Sequence, residues 1–450
     1  SELAGGIDHY SFAYTPSNVT VTDPLGRQSV YTFETIHGVK FPSSEQRLAS
    51  TNYPATTQQS DYDAFGNRTE LEDSNGNATN LSFDTRGLQN SRIEAAGSAV
   101  ERVVSKTWHP DFRLPITVTE PGRTTTYTYD AYGNVLTRIE TDTTSQTVPY
   151  STNGRSRTWA YTYYPSGVNG AYQVATINGP RTDVSDITTY TYNADGFVST
   201  VTNPLGHVTE VTGYNARGLP LSMLDQNNVV TQMTYHPRGW LLSSTILDPS
   251  GNGQHATSQY QYDDVGQMTR VTLPNGSYLD YEYDAAHRLT AISNNLGERQ
   301  EYVLDVAGNI TEERVKDALG NIKRTQQTVY DELSRIHQLI GGAEQVAQYT
   351  YDQNGNQLST VLDPSGLNQQ TLQAFDALNR LSNMTDAYGN QSAYAYDARD
   401  NLISVTDQRS FTTSYTYDGL NNLIQLDSPD TGVVVVKLNW PKISGHSSNV

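Results

Sequence analysis

The stretch Thr126-Tyr127-Thr128-Tyr129-Asp130-Ala131-Tyr132-Gly133-Asn134-Val135-Leu136-Thr137-Arg138-Ile139 decides how this chain is read. Its first four residues alternate Thr with Tyr. Period-two alternation of β-branched and aromatic residues is a strand with two unlike faces, Tyr127 and Tyr129 on one and Thr126 and Thr128 on the other. Asp130 to Gly133 then read as a turn. A glycine four places after the aromatic supplies a left-handed backbone position, and an Asp at the second place caps a turn through its own side chain. Val135 to Ile139 read as the returning strand.

Working outward, the aromatic–Asp–x–x–Gly pattern, exact or varied, returns sixteen times, at 62, 83, 108, 129, 163, 192, 214, 235, 262, 283, 304, 330, 351, 375, 396 and 417. Eight of the fifteen intervals are 21 residues, which marks a repeat architecture whose units bury their apolar faces only against neighbours. The fourth place is Gly in ten copies and His287, Ser334, Asn379, Asp400 or Asn421 in five more. Asn, Asp and His tolerate positive φ best after Gly, so the spacing predicts a left-handed residue there. The structural repeat residues are Tyr62, Asp63, Gly66, Tyr129, Asp130, Gly133, Tyr192, Gly196, Tyr262, Asp263, Gly266, Gly308, Tyr351, Asp352, Gly355, Tyr417 and Asp418.

A second turn recurs between copies: Asp23-Pro24-Leu25-Gly26, Asn203-Pro204-Leu205-Gly206, Asp248-Pro249-Ser250-Gly251, Asp363-Pro364-Ser365-Gly366 and Asp386-Ala387-Tyr388-Gly389. Asp or Asn first, Pro second and Gly fourth is type I β-turn chemistry, here read as distinct from the aromatic–Asp turn. Each unit is then strand, turn, strand, turn. No segment sustains a period of 3.6, so the fold class is all-β, with residues 1–430 as the array and its first 60 residues less regular. Residues 431–450 form a tail outside the repeat; Val433 to Pro441 read as an edge strand or as the start of a variable segment.

Composition agrees with a thin sheet. The 450 residues are 36% hydrophobic with 31 Tyr, and mean hydropathy is −0.59, too polar to fill one thick core. A net charge of −19 argues against nucleic acid and anionic membranes as partners. Cysteine is absent, which excludes disulfides and thiolate metal sites. No apolar run has the length of a membrane span and no signal peptide is visible, so no membrane insertion is expected. Opening at Ser1 close to a turn signal, the chain reads as a piece of something longer.

The Tyr-Asp unit with its Gly-Asn step (Gly66-Asn67, Gly133-Asn134, Gly308-Asn309, Gly355-Asn356) resembles the YD repeat of rearrangement-hot-spot (Rhs) proteins, found also in Tc toxin B/C components, wall-associated polymorphic toxins and teneurins. The resemblance covers residues 8 to 430, and the cysteine-free composition favours the bacterial branch. It implies spiralling hairpins forming a hollow shell, or a segment of one, around a toxin or effector domain of the same polypeptide or locus. It further implies a bacterial protein that is cytoplasmic before export and then secreted, with a secretion-machine component as a further partner. Sixteen two-strand units at ~4.8 Å would span roughly 150 Å, and closed once would make a tube about 50 Å wide, far wider than barrels filled by their own side chains. The plug, the Asp-containing self-cleavage segment and the variable toxin of full-length relatives are not visible, so autoproteolysis is not carried over.

Other chemistries fare worse. Nine His show no zinc-helix spacing; His109 and His236 occupy the Asp slot and His287 the Gly slot, as turn variants. No Ser sits in a Gly-x-Ser-x-Gly elbow. Asp73 to Asn77 and Asp352 to Asn356 resemble the start of a calcium loop, but their Gly falls fourth rather than sixth and no Glu closes the loop, so the period assigns them to turns. The expectation is therefore a non-catalytic protein with no metal and no cofactor. The alternative function is an exposed array whose tyrosines bind glycans or a cell-surface partner. The longest interval, between 129 and 163, is expected to project residues 141–157 as a surface loop.

Overall fold

The computed structural model describes residues 7–49 and 54–437. Among them are 37 β-strands of four to nine residues and no helix. The chain sorts into two compact units. The first comprises Ser1–Arg102, Thr234–Thr245 and Ala256–Ala393; the second comprises Val103–Met233, Ile246–His255 and Tyr394–Val450.

Within each unit, strands pair antiparallel with their neighbours in sequence. In the second unit Arg123–Tyr129 pairs with Val135–Asp142, which pairs in turn with Ser156–Tyr163. In the first, Tyr278–Tyr283 pairs with Leu289–Asn294, and that strand with Arg299–Leu304. The pairing breaks register at the first motif place, aromatic in every copy but Leu304. Thr128 faces Thr137 but Tyr129 faces Val135, leaving Leu136 as an extra residue, and Leu304 faces Ile310 with Thr311 extra. This is a β-bulge repeated along the array.

Buried apolar side chains are few. Those of the first unit are Leu88, Ala95, Ala286 and Ala291, and those of the second are Leu420 and Ile424. So small a set cannot carry either unit as an oily interior would, and cohesion must come from ladders, turns and half-buried aromatic rings.

One sequence expectation changes here. The aromatic–Asp turn and the second turn are one device. Asp63 and Asp23 each accept from the fourth residue (Gly66 N and Gly26 N) on their carbonyl, while their own N–H donates to the fifth (Asn67 O and Arg27 O). Gly66 and Gly26 sit at φ 84° and 81°. Each is a type I turn followed by a left-handed residue, which suits the right-handed twist of a tight hairpin. The same turn recurs at Asp73, Asn203, Asp317 and Asp386, where a strand pair meets the same twist. Asp363–Gly366 departs from it: Asp363 and Asn368, not Gly366, hold positive φ. In the tail, Gly432–Val435 is a strand paired with Leu423–Ser428, and residues 438–450 lie outside the described set.

Candidate functional site: the repeat turn and its seams

The turn is closed by a carboxylate. Asp130 Oδ1 accepts from the N–H groups of Tyr132 and Asn134, both at 2.9 Å, and Asp130 Oδ2 accepts from Asn134 Nδ2 at 2.9 Å. The side chain thus meets donors that a bare turn would leave to water. Asp63, Asp305, Asp397 and Asp418 repeat the arrangement with Asn67, Asn309, Asn401 and Asn422. Asp284, Asp331 and Asp376 use the Nε of Arg288, Arg335 and Arg380 instead. The Asn side-chain amide, with the backbone N–H groups, holds Asp63 and Asp130 below the ordinary carboxylate range.

The left-handed position is occupied as expected by all ten glycines and by His287, Ser334, Asn379, Asp400 and Asn421. The histidine variants act as caps: His109 Nδ1 accepts from Phe112 N and His236 Nδ1 from Arg238 N. At the remaining copy, at Trp108, the loop is longer, with His109 N bonded to Leu114 O, and Phe112 rests on the His109 ring.

The motif tyrosine joins one repeat to the one before it. Tyr129 OH donates to Pro115 O at 2.7 Å, Tyr163 OH to Val135 O, Tyr192 OH to Val174 O, Tyr214 OH to Val198 O and Tyr351 OH to Ile336 O. Every acceptor is the residue that faces the previous motif aromatic across its bulge. Tyr62 reaches Pro42 O in the same way, and Tyr262 packs its ring 5.5 Å from Trp240. Burial raises the hydroxyl pKa of Tyr129, Tyr192 and Tyr351. On the other face, the residue before the aromatic pairs hydroxyls across the strands, as in Thr128 with Thr137 and Thr350 with Ser359, both at 2.6 Å.

Seams join stretches far apart in sequence. In the first unit, turn 73–77 meets turn 352–356 reciprocally. Asn75 Nδ2 donates to Asp352 Oδ2 at 2.9 Å, across 277 residues, and Asn354 Nδ2 donates to Asp73 Oδ2 at 2.7 Å, across 281. In the second unit Gly419 N donates to Asp142 Oδ2 at 2.8 Å, again across 277 residues, and Arg399 Nη1 reaches Gly122 O across the same interval. Asp142, Thr152 and Asp418 are fully buried there. Burial alone would raise the Asp142 pKa, but the hydroxyls of Thr144 and Thr152 and the N–H groups of Thr144 and Gly419 outweigh it and hold the carboxylate lowered.

Segment 141–157 does not project. Besides Asp142, Tyr150 OH donates to Val436 O, and Arg157 donates to Leu420 O and to Asn422 Oδ1. A loop expected in solvent because it is polar and turn-rich is instead a strap over residues 419–436, since its polar groups find donors and acceptors there. The calcium-like stretches likewise spend their carboxylates on Asn amides, and no group of three metal-ligating side chains occurs among the described residues.

The predicted repeat residues do not converge on one cleft; each holds its own turn or strand end. A depression of about 600 Å³ in the first unit is lined by Asp23, Arg27, Glu45 and Arg47, which are paired as Arg27–Asp23 and Arg47–Glu45. The seam residues Asn75, Asn354, Asp142 and Gly122 escaped the sequence reading. One signal was available. Among sixteen copies, Gly419 is the only glycine in the third motif place, where seven copies have Ala. A Cβ at 419 would overlap the Gly122 carbonyl oxygen and crowd the Asp142 carboxylate.

Comparison with known proteins agrees with this geometry. The RHS Repeat family model matches residues 262–299, 375–407 and 396–433. Crystal structures of TcdB2-TccC3 without its hypervariable C-terminal region and of TcdB2-TccC3 align at TM-scores of 0.69 and 0.68 with 14% identity, over 96% and 94% of this chain. The Tc holotoxin pore of Photorhabdus luminescens aligns over 96% of the chain at TM-score 0.59 and 13% identity. This chain spans about a quarter of those chains (26%, 26% and 27%). No curated protein matches it in sequence.

Proposed function

We propose that this chain is a wall segment of the Rhs/YD-repeat type, enclosing a toxin or effector domain of the same polypeptide or locus before delivery outside the bacterium. The observation that carries the reading is the pair of seams. Each unit joins stretches 277 residues apart at a repeat turn, so the hairpin array is built to lie against itself rather than to remain an extended ribbon. A sheet held by ladders and seams, with few buried apolar side chains, is suited to a wall. The role is non-catalytic in this reading: the motif carboxylates are engaged by their own turns and the motif tyrosines by the preceding repeat. A secretion-machine component remains part of the proposal as delivery partner, and residues 1–430 as its repeat body.

Electron cryomicroscopy of the purified chain tests this. A wall one sheet thick bordering low density is the expected result, and a solid particle with sheets stacked face to face would overturn it. One observation favours the surface-binding alternative: Phe65, Tyr132 and Tyr388 stand at turn tips, 84%, 70% and 87% exposed. Glycan-array binding abolished by Tyr132→Ala and Tyr388→Ala would move that reading ahead.

A further inference from the structure

The first-unit seam is made of a chemically fragile pair. Both of its cross-seam donors, Asn75 and Asn354, are followed by glycine, Gly76 and Gly355. The chain has seven Asn-Gly steps, at 75, 153, 169, 178, 252, 275 and 354. The two in the seam give their amides to carboxylates 277 and 281 residues away. Asn75 is exposed and Asn354 half-buried, so water reaches both.

We propose that Asn75 and Asn354 are sites of spontaneous deamidation, and that reaction at either one opens the seam irreversibly. The backbone nitrogen of the following glycine attacks the side-chain amide carbon, a new N–C bond forms, and ammonia leaves. Water then opens the cyclic imide at either carbonyl, giving aspartate or isoaspartate. The net change is one water consumed and one ammonia released, with no oxidation or reduction. Glycine in the following place has no Cβ to obstruct the attack.

The consequence follows from the partners. Asp73 Oδ2 accepts from Asn354 Nδ2 at 2.7 Å and from Asn77 Nδ2 at 3.1 Å. Asn354 Nδ2 also donates to Asn379 Oδ1 at 3.0 Å. A carboxylate at 354 loses both donations and faces Asp73 as a like charge. Asp352, which holds Asn75 and Asn356, meets the same fate if Asn75 reacts. Charge-assisted attraction becomes repulsion at the same contact.

The test ages the purified chain at mildly alkaline pH and maps its peptides by mass spectrometry, looking for the mass gain of replacing NH2 by OH. Modification is expected at 75 and 354, and hydrogen exchange in turns 73–77 and 352–356 of the modified fraction should quicken about tenfold, the loss of roughly one hydrogen bond. Asn354→Asp should reproduce that quickening without ageing. The swap Asn354→Asp with Asp73→Asn should reverse it, because donor and acceptor merely change sides. Asn is tolerated at the capping place, as Asn193, Asn203 and Asn215 show by capping the same turn. Three results would each overturn the proposal: Asn275 modified while both seam sites stay intact, wild-type exchange in Asn354→Asp, or a swap no better than the single variant.

Discussion

At residues 130–134 and again at 418–422, an Asp caps the same turn, with the same Asn on its outer carboxylate oxygen and a left-handed residue in the fourth place. Their surroundings are opposite. Tyr132 stands 70% exposed at the tip of the first, whereas Leu420, in the equivalent place of the second, is 3% exposed beneath the strap. Local bonding is therefore sufficient to form the turn, and burial is added by a partner elsewhere in the chain. The comparison separates what a repeat needs in order to exist from what a copy needs in order to join another stretch.

The largest effect should come from breaking the joined copy. Asp142→Ala leaves Gly419 N and Thr144 N without their acceptor in a dry site, a cost of about 3 kcal/mol. Hydrogen exchange should quicken in residues 417–436 and remain unchanged at 130–134. Next, Gly133→Val forces a β-branched residue to φ 87° and should cost about 1–2 kcal/mol, read as local exchange in that hairpin with the 142–419 contact intact. Third, Tyr129→Phe removes the bond to Pro115 O for about 1 kcal/mol, loosening the junction between two repeats but neither turn.

The smallest effect at any one residue is that of pH, and it acts on every copy. Asp63, Asp130 and Asp386 are held low, chiefly by their Asn partners. Their contribution to stability is complete above about pH 4, the unfolded value, and is lost as pH falls through the lowered folded values. Tyr129, Tyr192 and Tyr351 are raised by burial, so their contribution is complete below about pH 10 and is lost as pH rises through the raised values. A melting-temperature plateau between those limits, falling on both sides, is expected. A maximum confined to the pH near the sequence pI of about 4.8 would contradict it.

Much of the local device was legible because its causes are local. Positive φ at Gly133 follows from the residue type, and the same inference held for His287 and Asn421. The role of Asp130 as cap followed from an Asp standing at the head of a turn. The identity of the two turn classes was also within reach, since Asp73-Ser74-Asn75-Gly76-Asn77 and Asp352-Gln353-Asn354-Gly355-Asn356 match at four of five places, but Pro24 and Pro204 drew attention to a separate turn type. The strap was misread because a polar, turn-rich segment has the same composition whether it meets water or meets the backbone of residues 419–436.

The sequence by itself determined the all-β hairpin array and its turn chemistry, because each depends on residues within about one repeat of one another. Only the tertiary structure decided which turns meet. Asn75 and Asp352, or Asp142 and Gly419, lie 277 residues apart, and no local propensity acts over that distance. A single glycine at 419 was the mark that such closeness left in the sequence.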